Sequence, residues 1–122
     1  MIIKLANAKH IVYSKLISKL IDESAKNRGT GIARRSPLYI KKKILSGNSV
    51  IALDKNNFAG FCYIEAWEHG KYVAHSGLIV SPKYRNMGIG KKIKNKVLEL
   101  SLKKYPKSKI FGDPKLWFER PS

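Results

Sequence analysis

The sequence predicts a mixed α/β fold, in which one sheet combines antiparallel and parallel strands and carries helices on its faces. Apolar residues recur at helical spacing towards both ends of the chain, whereas the middle is rich in β-branched and aromatic residues. Short turns join three strand-like runs, which makes them neighbours in an antiparallel meander. A helix then separates the last of these runs from a final apolar run, an arrangement typical of a parallel crossover.

The length and composition indicate one soluble domain. With 122 residues, the chain can build one hydrophobic core but not two. Its apolar runs, such as Gly77–Val80, are far shorter than the roughly 20 residues of a membrane span. The segment Met1–Tyr13 lacks the features of a signal peptide. The single cysteine, Cys62, cannot form an internal disulfide, which fits a reducing compartment. We therefore predict a cytoplasmic protein without a membrane segment.

The first third of the chain predicts a strand and two helices. Ile2–Leu5 is a short apolar strand, and Asn7 is a candidate N-cap for an amphipathic helix over roughly residues 9–26. The apolar face of this helix consists of Val12, Leu16, Ile17, Leu20 and Ile21. Ser36-Pro37 combines a capping hydroxyl with a proline at the first helical position, so a second helix should run from there to about Leu45.

The rest of the chain predicts the sheet and its crossover helix. The antiparallel meander comprises Val50–Leu53, Phe58–Trp67 and Tyr72–Val80, joined by polar turns. A third helix, ending near Tyr105, is marked by Ile89, Ile93, Val97 and Leu100. Lys109–Phe111 is then a strand that should lie parallel to Tyr72–Val80.

A glycine-rich turn between the third meander strand and the last helix predicts an anion site. The first N–H groups of a helix lack intrahelical partners and carry the positive end of its dipole. Gly88 and Gly90 remove side chains that would keep phosphate oxygens from the backbone, and Asn86 tolerates positive φ. Arg85 and Lys91 add positive charge.

The spacing within this turn separates it from other phosphate-binding motifs. The dinucleotide fingerprint requires a glycine where this chain has Ile93. A P-loop requires glycine in place of Arg85 and serine or threonine in place of Lys92. In contrast, Arg85-Asn86-Met87-Gly88-Ile89-Gly90 follows the pattern Arg/Gln-x-x-Gly-x-Gly/Ala. This pattern, together with the order of predicted elements from residue 9 to Gly112, resembles the GNAT superfamily of N-acyltransferases.

The resemblance implies a GNAT-like fold and acyl-CoA as co-substrate, with no metal. It covers residues 1–112 as an incomplete N-acetyltransferase domain, which leaves 113–122 as a divergent tail and suggests a chain truncated after residue 112. Gly29–Tyr39, Ile51–Trp67 and Ser76–Arg85 resemble small bacterial enzymes of the N-acetylglutamate-synthase type, which implies a role in amino-acid metabolism. The residues implied to bind acyl-CoA are Leu78, Ile79, Val80, Arg85, Asn86, Met87, Gly88, Ile89, Gly90 and Lys91.

The acceptor in this superfamily is an amine, here a small molecule that the resemblance suggests is an amino acid such as glutamate. Glu65 and His75 are the candidates for the catalytic base, although a solvent-facing carboxylate and a hydrogen-bonded strand histidine are the structural alternatives. Arg34 and Arg35 are the candidates to bind a substrate carboxylate, or else form a solvated basic pair. The acyl group is acetyl or another, such as succinyl.

The net charge of +17, from 25 Lys and Arg against 8 Asp and Glu, leaves alternative functions open. The lysines are scattered and do not alternate with aromatic residues, which disfavours a nucleic-acid platform. The alternatives are a basic protein that acts on ribosomal or nucleic-acid-associated substrates, and a CoA-binding fragment without turnover. Because the resemblance ends at Gly112, an unfinished sheet edge predicts a second copy of the chain as a partner.

Overall fold

The computed structural model describes residues 1–27 and 35–111. Within these residues, five strands form one sheet in the order β1-β2-β3-β4-β5, in which only the β4–β5 pair is parallel. This architecture confirms the predicted mixed sheet, the antiparallel meander and the parallel crossover. In chain order, the elements are β1 (Ile2–Leu5), α1 (Ser14–Asn27), α2 (Pro37–Leu45), β2 (Ser49–Asp54), β3 (Asn57–Trp67), β4 (Tyr72–Val80), α3 (Ile89–Lys104) and β5 (Lys109–Phe111).

The helices cover both faces of the sheet, so alternate strand residues enter two separate cores. Phe61 and Tyr63 of β3 point towards α1 and α2, where they join Ile17 and Ile40. The residues that follow them, Cys62 and Ile64, point to the opposite face of the sheet. There they join a second core under α3, which also contains Val73, Ile89, Ile93 and Val97. β3 is therefore buried on both sides through most of its length. Within the described residues, no helix has both the length and the apolar composition to cross a membrane.

The prediction of a single α-helix over residues 9–26 is wrong for its first turns. Residues 8–13 form a 3₁₀ helix, and the α-helix begins only at Ser14. The 3₁₀ turn is fixed by Asn7, whose backbone N–H donates to His10 Nδ1 at 2.9 Å. Burial lowers the pKa of His10, which favours the neutral ring that this bond requires. The tighter turn rotates Val12 into solvent at 76% exposure, and Leu16 is also 42% exposed.

Gly60 lets α3 pack closely against β3, and we expect Gly60→Ala to destabilise the fold. A Cβ atom at Gly60 would lie 2.5 Å from Ile93 Cδ1 and 3.0 Å from the carbonyl oxygen of Ile79. The overpacking should lower the free energy of unfolding by about 1–3 kcal/mol, measured by urea denaturation. Ile93→Val removes Cδ1, the closer of the two atoms. The double variant of Gly60→Ala and Ile93→Val should therefore lose less free energy of unfolding than the sum of the two single losses. Additive losses would contradict the proposed contact.

Candidate functional site

A β-bulge distorts β4 in the middle of the sheet. Phe61 pairs with Ile79, but Tyr63 pairs with Ser76, so that Cys62 faces two residues of β4 instead of one. Gly77 lies in the bulge with φ +64°, in the left-handed region that favours glycine. A Cβ atom at this position would also lie 2.2 Å from Cε1 of Tyr63. Gly77 is therefore required both by the backbone and by the ring beneath it.

The second half of β4 exposes a sheet edge beside this bulge. Strand β5 pairs with β4 only through Tyr72, Val73 and Ala74. Among the described residues, no strand pairs with residues 76–80 on that side, although the carbonyl oxygen of Val80 accepts from Nε of Arg85 at 3.3 Å. Such an edge offers main-chain hydrogen bonds to an extended ligand that contains amides.

A cleft of about 330 Å³ opens at this part of β4, between the strand, α1, Arg35 just before α2, and Lys94 of α3. Arg35 and Lys94 provide cationic side chains, and within the described part of the chain no carboxylate lines the cleft. This charge distribution favours an anionic ligand. The complete lining is Ile21, Ser24, Ala25, Arg35, Tyr63, His75, Ser76, Gly77, Leu78, Ile79 and Lys94.

The turn between β4 and α3 is hydrogen-bonded to the sheet through the side chain of Tyr84 and the backbone of Ser81. Tyr84, buried in the core under α3, donates its hydroxyl hydrogen to Asp54 Oδ2 at 2.9 Å. The backbone N–H of Ser81 donates to the carbonyl oxygen of Ala59 at 2.8 Å. These contacts fix the direction in which the chain leaves β4 and enters α3. The glycine turn is therefore attached to a rigid frame.

The N-terminus of α3 has the features of the predicted anion site. Asn86 and Gly88 both adopt positive φ, at +64° and +75°. Among the described residues, no side chain caps the helix, and none has an atom within 4 Å of where a Cβ atom at Gly88 would lie. Met87 is 60% exposed, and Lys91 is also exposed. The first N–H groups of α3 thus face an open, positively charged space, which suits a phosphate or pyrophosphate.

A polar cluster lies on the α1 and α2 side of the sheet, next to the cleft. Nε of Arg35 donates to the hydroxyl oxygen of Tyr63 at 2.7 Å. Nζ of Lys43 lies 3.0 Å from Oε2 of Glu65 and donates to the carbonyl oxygen of Ile64 at 2.8 Å. Tyr39 packs edge-on against Tyr63, with 5.7 Å between the ring centroids. We call Arg35, Tyr39, Lys43, Tyr63 and Glu65 the polar cluster.

Burial shifts the pKa values of both members of the ion pair in this cluster. It raises the pKa of Glu65, an effect that the nearby Arg35 guanidinium opposes. Burial also lowers the pKa of Lys43, and the charge of Arg35 lowers it further. Glu65 therefore binds a proton more readily than an exposed glutamate does, which is a useful property in a general base.

His75 lies on the opposite face of the sheet from Glu65. It pairs with Ile64, and its Nε2 lies 2.8 Å from Oγ of Ser101 on α3. Since the Ser101 hydroxyl donates its only hydrogen to the carbonyl oxygen of Val97, Nε2 of His75 must be the donor to Ser101. The structure therefore does not bring the two base candidates together, although His75 also borders the cleft.

Cys62 is buried on the α3 side and has no nucleophilic character. Burial raises the pKa of its thiol to about 11, so that it stays protonated near neutral pH. Its Sγ lies 3.4 Å from the carbonyl oxygen of Ser76, which it contacts as a weak donor. Nor do the described residues bring three His, Cys, Asp or Glu side chains together as metal ligands.

The structure brings some of the predicted site residues together and adds three that the sequence did not single out. Leu78, Ile79 and Arg35 meet at the cleft, which Val80 does not line, whereas Arg34 lies outside the described residues. The added residues all belong to the polar cluster: Tyr39, Lys43 and Tyr63. Helical spacing i, i+4 relates Tyr39 to Lys43, and strand spacing i, i+2 relates Tyr63 to Glu65, so each pair shares a face. No sequence signal shows that these two faces meet.

The chain matches the model of the acetyltransferase (GNAT) family over residues 19–111. None of the curated protein sequences matches it significantly. Many solved structures share its fold. One is a GNAT family acetyltransferase from Staphylococcus aureus, with a TM-score of 0.72 and 15% identity, covering 91% of this chain and 98% of that protein.

Two further structures with the same fold were solved with coenzyme A. A Mycobacterium tuberculosis protein in complex with CoA has a TM-score of 0.69 and 12% identity, covering 98% of this chain and 69% of that protein. The N-acetylglutamate synthase of Neisseria gonorrhoeae, complexed with coenzyme A and N-acetyl-glutamate, has a TM-score of 0.65 and 20% identity. That match covers 82% of this chain but only 22% of the gonococcal enzyme. At these identities the likeness concerns the fold.

Proposed function

Because the chain belongs to the acetyltransferase (GNAT) family, a family of acyl-CoA-dependent N-acyltransferases, we propose that it acylates the amine of a small acidic molecule. The acyl group is acetyl or a related one such as succinyl, and an amino acid such as glutamate is the candidate acceptor. The observation that carries this proposal is the cationic cleft, which opens beside both the second half of β4 and the polar cluster.

The described residues fit acyl-CoA along a continuous path. The N-terminal amides of α3, with the glycines at 88 and 90, provide the pyrophosphate site, and the charges of Arg85 and Lys91 support it. The edge of β4 at Leu78–Val80, with which no described strand pairs, suits the amides of the pantetheine arm. Two structures with this fold were solved with CoA, which supports acyl-CoA as the ligand. The thioester then lies close to the bulge at Gly77.

The reaction requires the amine nitrogen to attack the thioester carbonyl carbon. A C–N bond forms, the C–S bond breaks, the thiolate of CoA leaves, and the amine loses a proton. Backbone N–H groups of β4 near Leu78 can polarise the carbonyl oxygen, because they are already oriented by the sheet. No acyl-enzyme forms in this scheme, which agrees with the protonated thiol of Cys62.

The acceptor is proposed to bind through its carboxylate to Arg35. The guanidinium borders the cleft, and planar guanidinium groups bind carboxylates in bidentate fashion. Arg34 precedes it in sequence and remains a second candidate. The gonococcal N-acetylglutamate synthase was solved with N-acetyl-glutamate, which supports an acidic amino acid as the acceptor class. A role in amino-acid metabolism follows from that choice.

We favour Glu65 over His75 as the base, although of the two only His75 lines the cleft itself. The pKa of Glu65 is raised by burial, and Glu65 shares a sheet face with Tyr63, which lines the cleft. His75 is engaged with Ser101 under α3, so it would have to act through water or through a change of side-chain conformation. Either residue takes the proton that the amine loses, and the roles of both remain predictions.

Three further predictions accompany this function. We propose that residues 1–112 form the acetyltransferase domain and that 113–122 are a divergent tail. The buried free thiol of Cys62 is compatible with the cytoplasm. A second copy of the chain that completes the sheet also stays a prediction, which light scattering of the purified protein would test.

Calorimetry and thiol release test the proposed function in sequence. We expect acetyl-CoA or succinyl-CoA to bind with micromolar affinity, and release of CoA thiol to require an amine. A panel of amino acids should show the highest kcat/KM with an acidic acceptor, because the cleft is cationic. Equal use of acidic and basic acceptors would contradict the acceptor assignment. Binding without thiol release would identify a CoA-binding fragment, whereas RNA binding without any acyl-CoA binding would refute the proposal.

A further inference from the structure

We propose that Tyr63 is a positioning residue, which orients Arg35 for the carboxylate of the acceptor and links it to the bulged strand β4. The inference rests on the proposed function, in which Arg35 binds that carboxylate. The proposal adds Tyr63 as a residue that affects acceptor specificity indirectly, through the orientation of Arg35. The two residues lie 28 positions apart in sequence and meet only in the folded protein.

The hydroxyl oxygen of Tyr63 is a fixed hydrogen-bond acceptor. Tyr63 is only 1% exposed, and its ring is surrounded by Tyr39 at 5.7 Å and Phe61 at 6.2 Å between centroids. The ring therefore cannot follow a mobile arginine. Instead, the 2.7 Å bond from Nε of Arg35 brings the guanidinium to the hydroxyl. Ser18 holds the backbone of Arg35, because Oγ of Ser18 donates to the carbonyl oxygen of Arg35.

This anchoring matters because carboxylate binding by arginine depends on direction. The guanidinium is planar, and a bidentate pair forms only when its plane and that of the carboxylate are aligned. A bond at Nε restricts rotation of the whole plane. Tyr39 restricts it further, because Cζ of Arg35 lies 5.2 Å from the centre of that ring. Much of the ordering of Arg35 therefore precedes ligand binding, which favours affinity.

The same ring sets the distance between the acceptor side and the thioester side of the cleft. Tyr63 lies directly beneath Gly77, where even a Cβ atom would approach Cε1 to 2.2 Å. Gly77 belongs to the bulge that displaces β4 at the proposed thioester position. One rigid side chain thus contacts the bulge with its ring and Arg35 with its hydroxyl. A fixed spacing between amine and thioester is what a direct transfer needs.

Tyr63→Phe tests this proposal because it removes the hydroxyl and keeps the ring. With L-glutamate as the acceptor, we expect KM to rise about tenfold, since Arg35 loses the bond that orients it. The KM of L-glutaminamide, which has no carboxylate, should stay unchanged, as should the Kd of acetyl-CoA. Tyr13→Phe is the matched control, because Tyr13 also donates through its hydroxyl, to the carbonyl oxygen of Asn56 at 2.8 Å. That variant should leave all of these constants unchanged.

Arg35→Gln, measured alone and combined with Tyr63→Phe, separates this proposal from the one on which it rests. If Arg35→Gln does not raise the KM of L-glutamate, the proposed acceptor site is wrong. If it does, but Tyr63→Phe has no effect, only the positioning role is wrong. The proposal is also overturned if Tyr63→Phe raises the KM of L-glutamate and of L-glutaminamide equally, or if it weakens the binding of acetyl-CoA. In support, the double variant should resemble Arg35→Gln alone.

Discussion

Replacement of Gly88 by leucine is expected to weaken acetyl-CoA binding by at least about tenfold, measured by calorimetry. Gly88 has φ +75°, so a leucine would favour a different backbone and would redirect the first amides of α3. Its side chain would also fill the space beside those amides, where a Cβ atom would meet no atom of the described part of the chain. Both effects remove donors from the proposed pyrophosphate site.

Two matched variants separate the backbone effect from the steric one. Gly47, just after α2, has nearly the same φ, +74°. Its replacement by leucine should lower the free energy of unfolding by a similar amount without weakening the binding of acetyl-CoA. Gly90 lies inside α3 without positive φ, so its replacement adds only a side chain. It should weaken binding less than Gly88→Leu. If Gly88→Leu and Gly47→Leu gave the same acetyl-CoA affinity, the assigned pyrophosphate site would be wrong.

Local patterns predicted most of the fold because each element here has its own signal. Alternation and β-branched residues located the meander, and Ser36 caps α2 by accepting from the N–H of Tyr39, as the Ser36-Pro37 pattern predicts. The prediction failed at residues 8–13, where helical spacing cannot distinguish an α-helix from a 3₁₀ helix. A side-chain bond between residues three apart, Asn7 and His10, decided between them. Such a bond is visible only in the structure.

The candidate site was predictable only where it is local in sequence. The glycine turn occupies consecutive residues, so its motif already contained the donors and the backbone requirement. The polar cluster instead joins α2 to β3, and Arg35 meets Tyr63 across 28 positions. The bulge is equally hidden, because the sequence around Gly77 does not show which β3 residue it opposes. Pairing His75 with Ile64 fixes its direction towards α3, and this register is also a tertiary property.

Loss of Lys43 is expected to destabilise the protein most strongly near neutral pH. Lys43→Met keeps most of the apolar part of the side chain but removes Nζ, which lies 3.0 Å from Glu65 and above the rings of Tyr39 and Tyr63. The Glu65 side chain is only 22% exposed, so its carboxylate would lose a partner that water cannot fully replace. We expect the free energy of unfolding to fall by about 1–3 kcal/mol in urea denaturation at about pH 7.5.

The pH dependence of this loss distinguishes a charge effect from a packing effect. Burial already raises the pKa of Glu65 above its ordinary 4.5, so the native state binds this proton more readily than the unfolded chain. The associated stability is present at low pH and is lost as the pH rises through the native pKa. Without Lys43 that pKa should rise further, and the destabilisation should therefore shrink at about pH 4.5.

Two controls complete this prediction. Glu65→Gln in the Lys43→Met background removes the unpaired carboxylate and should restore most of the lost stability near neutral pH. Lys96→Met breaks a second lysine–glutamate pair, in which Nζ lies 3.6 Å from Oε2 of Glu99 and both side chains are well exposed. Its effect should stay below about 0.5 kcal/mol, because water solvates the remaining charge. A loss in Lys43→Met that did not change with pH would point to packing rather than charge. The Lys43–Glu65 pair would then have no electrostatic role beside the cleft.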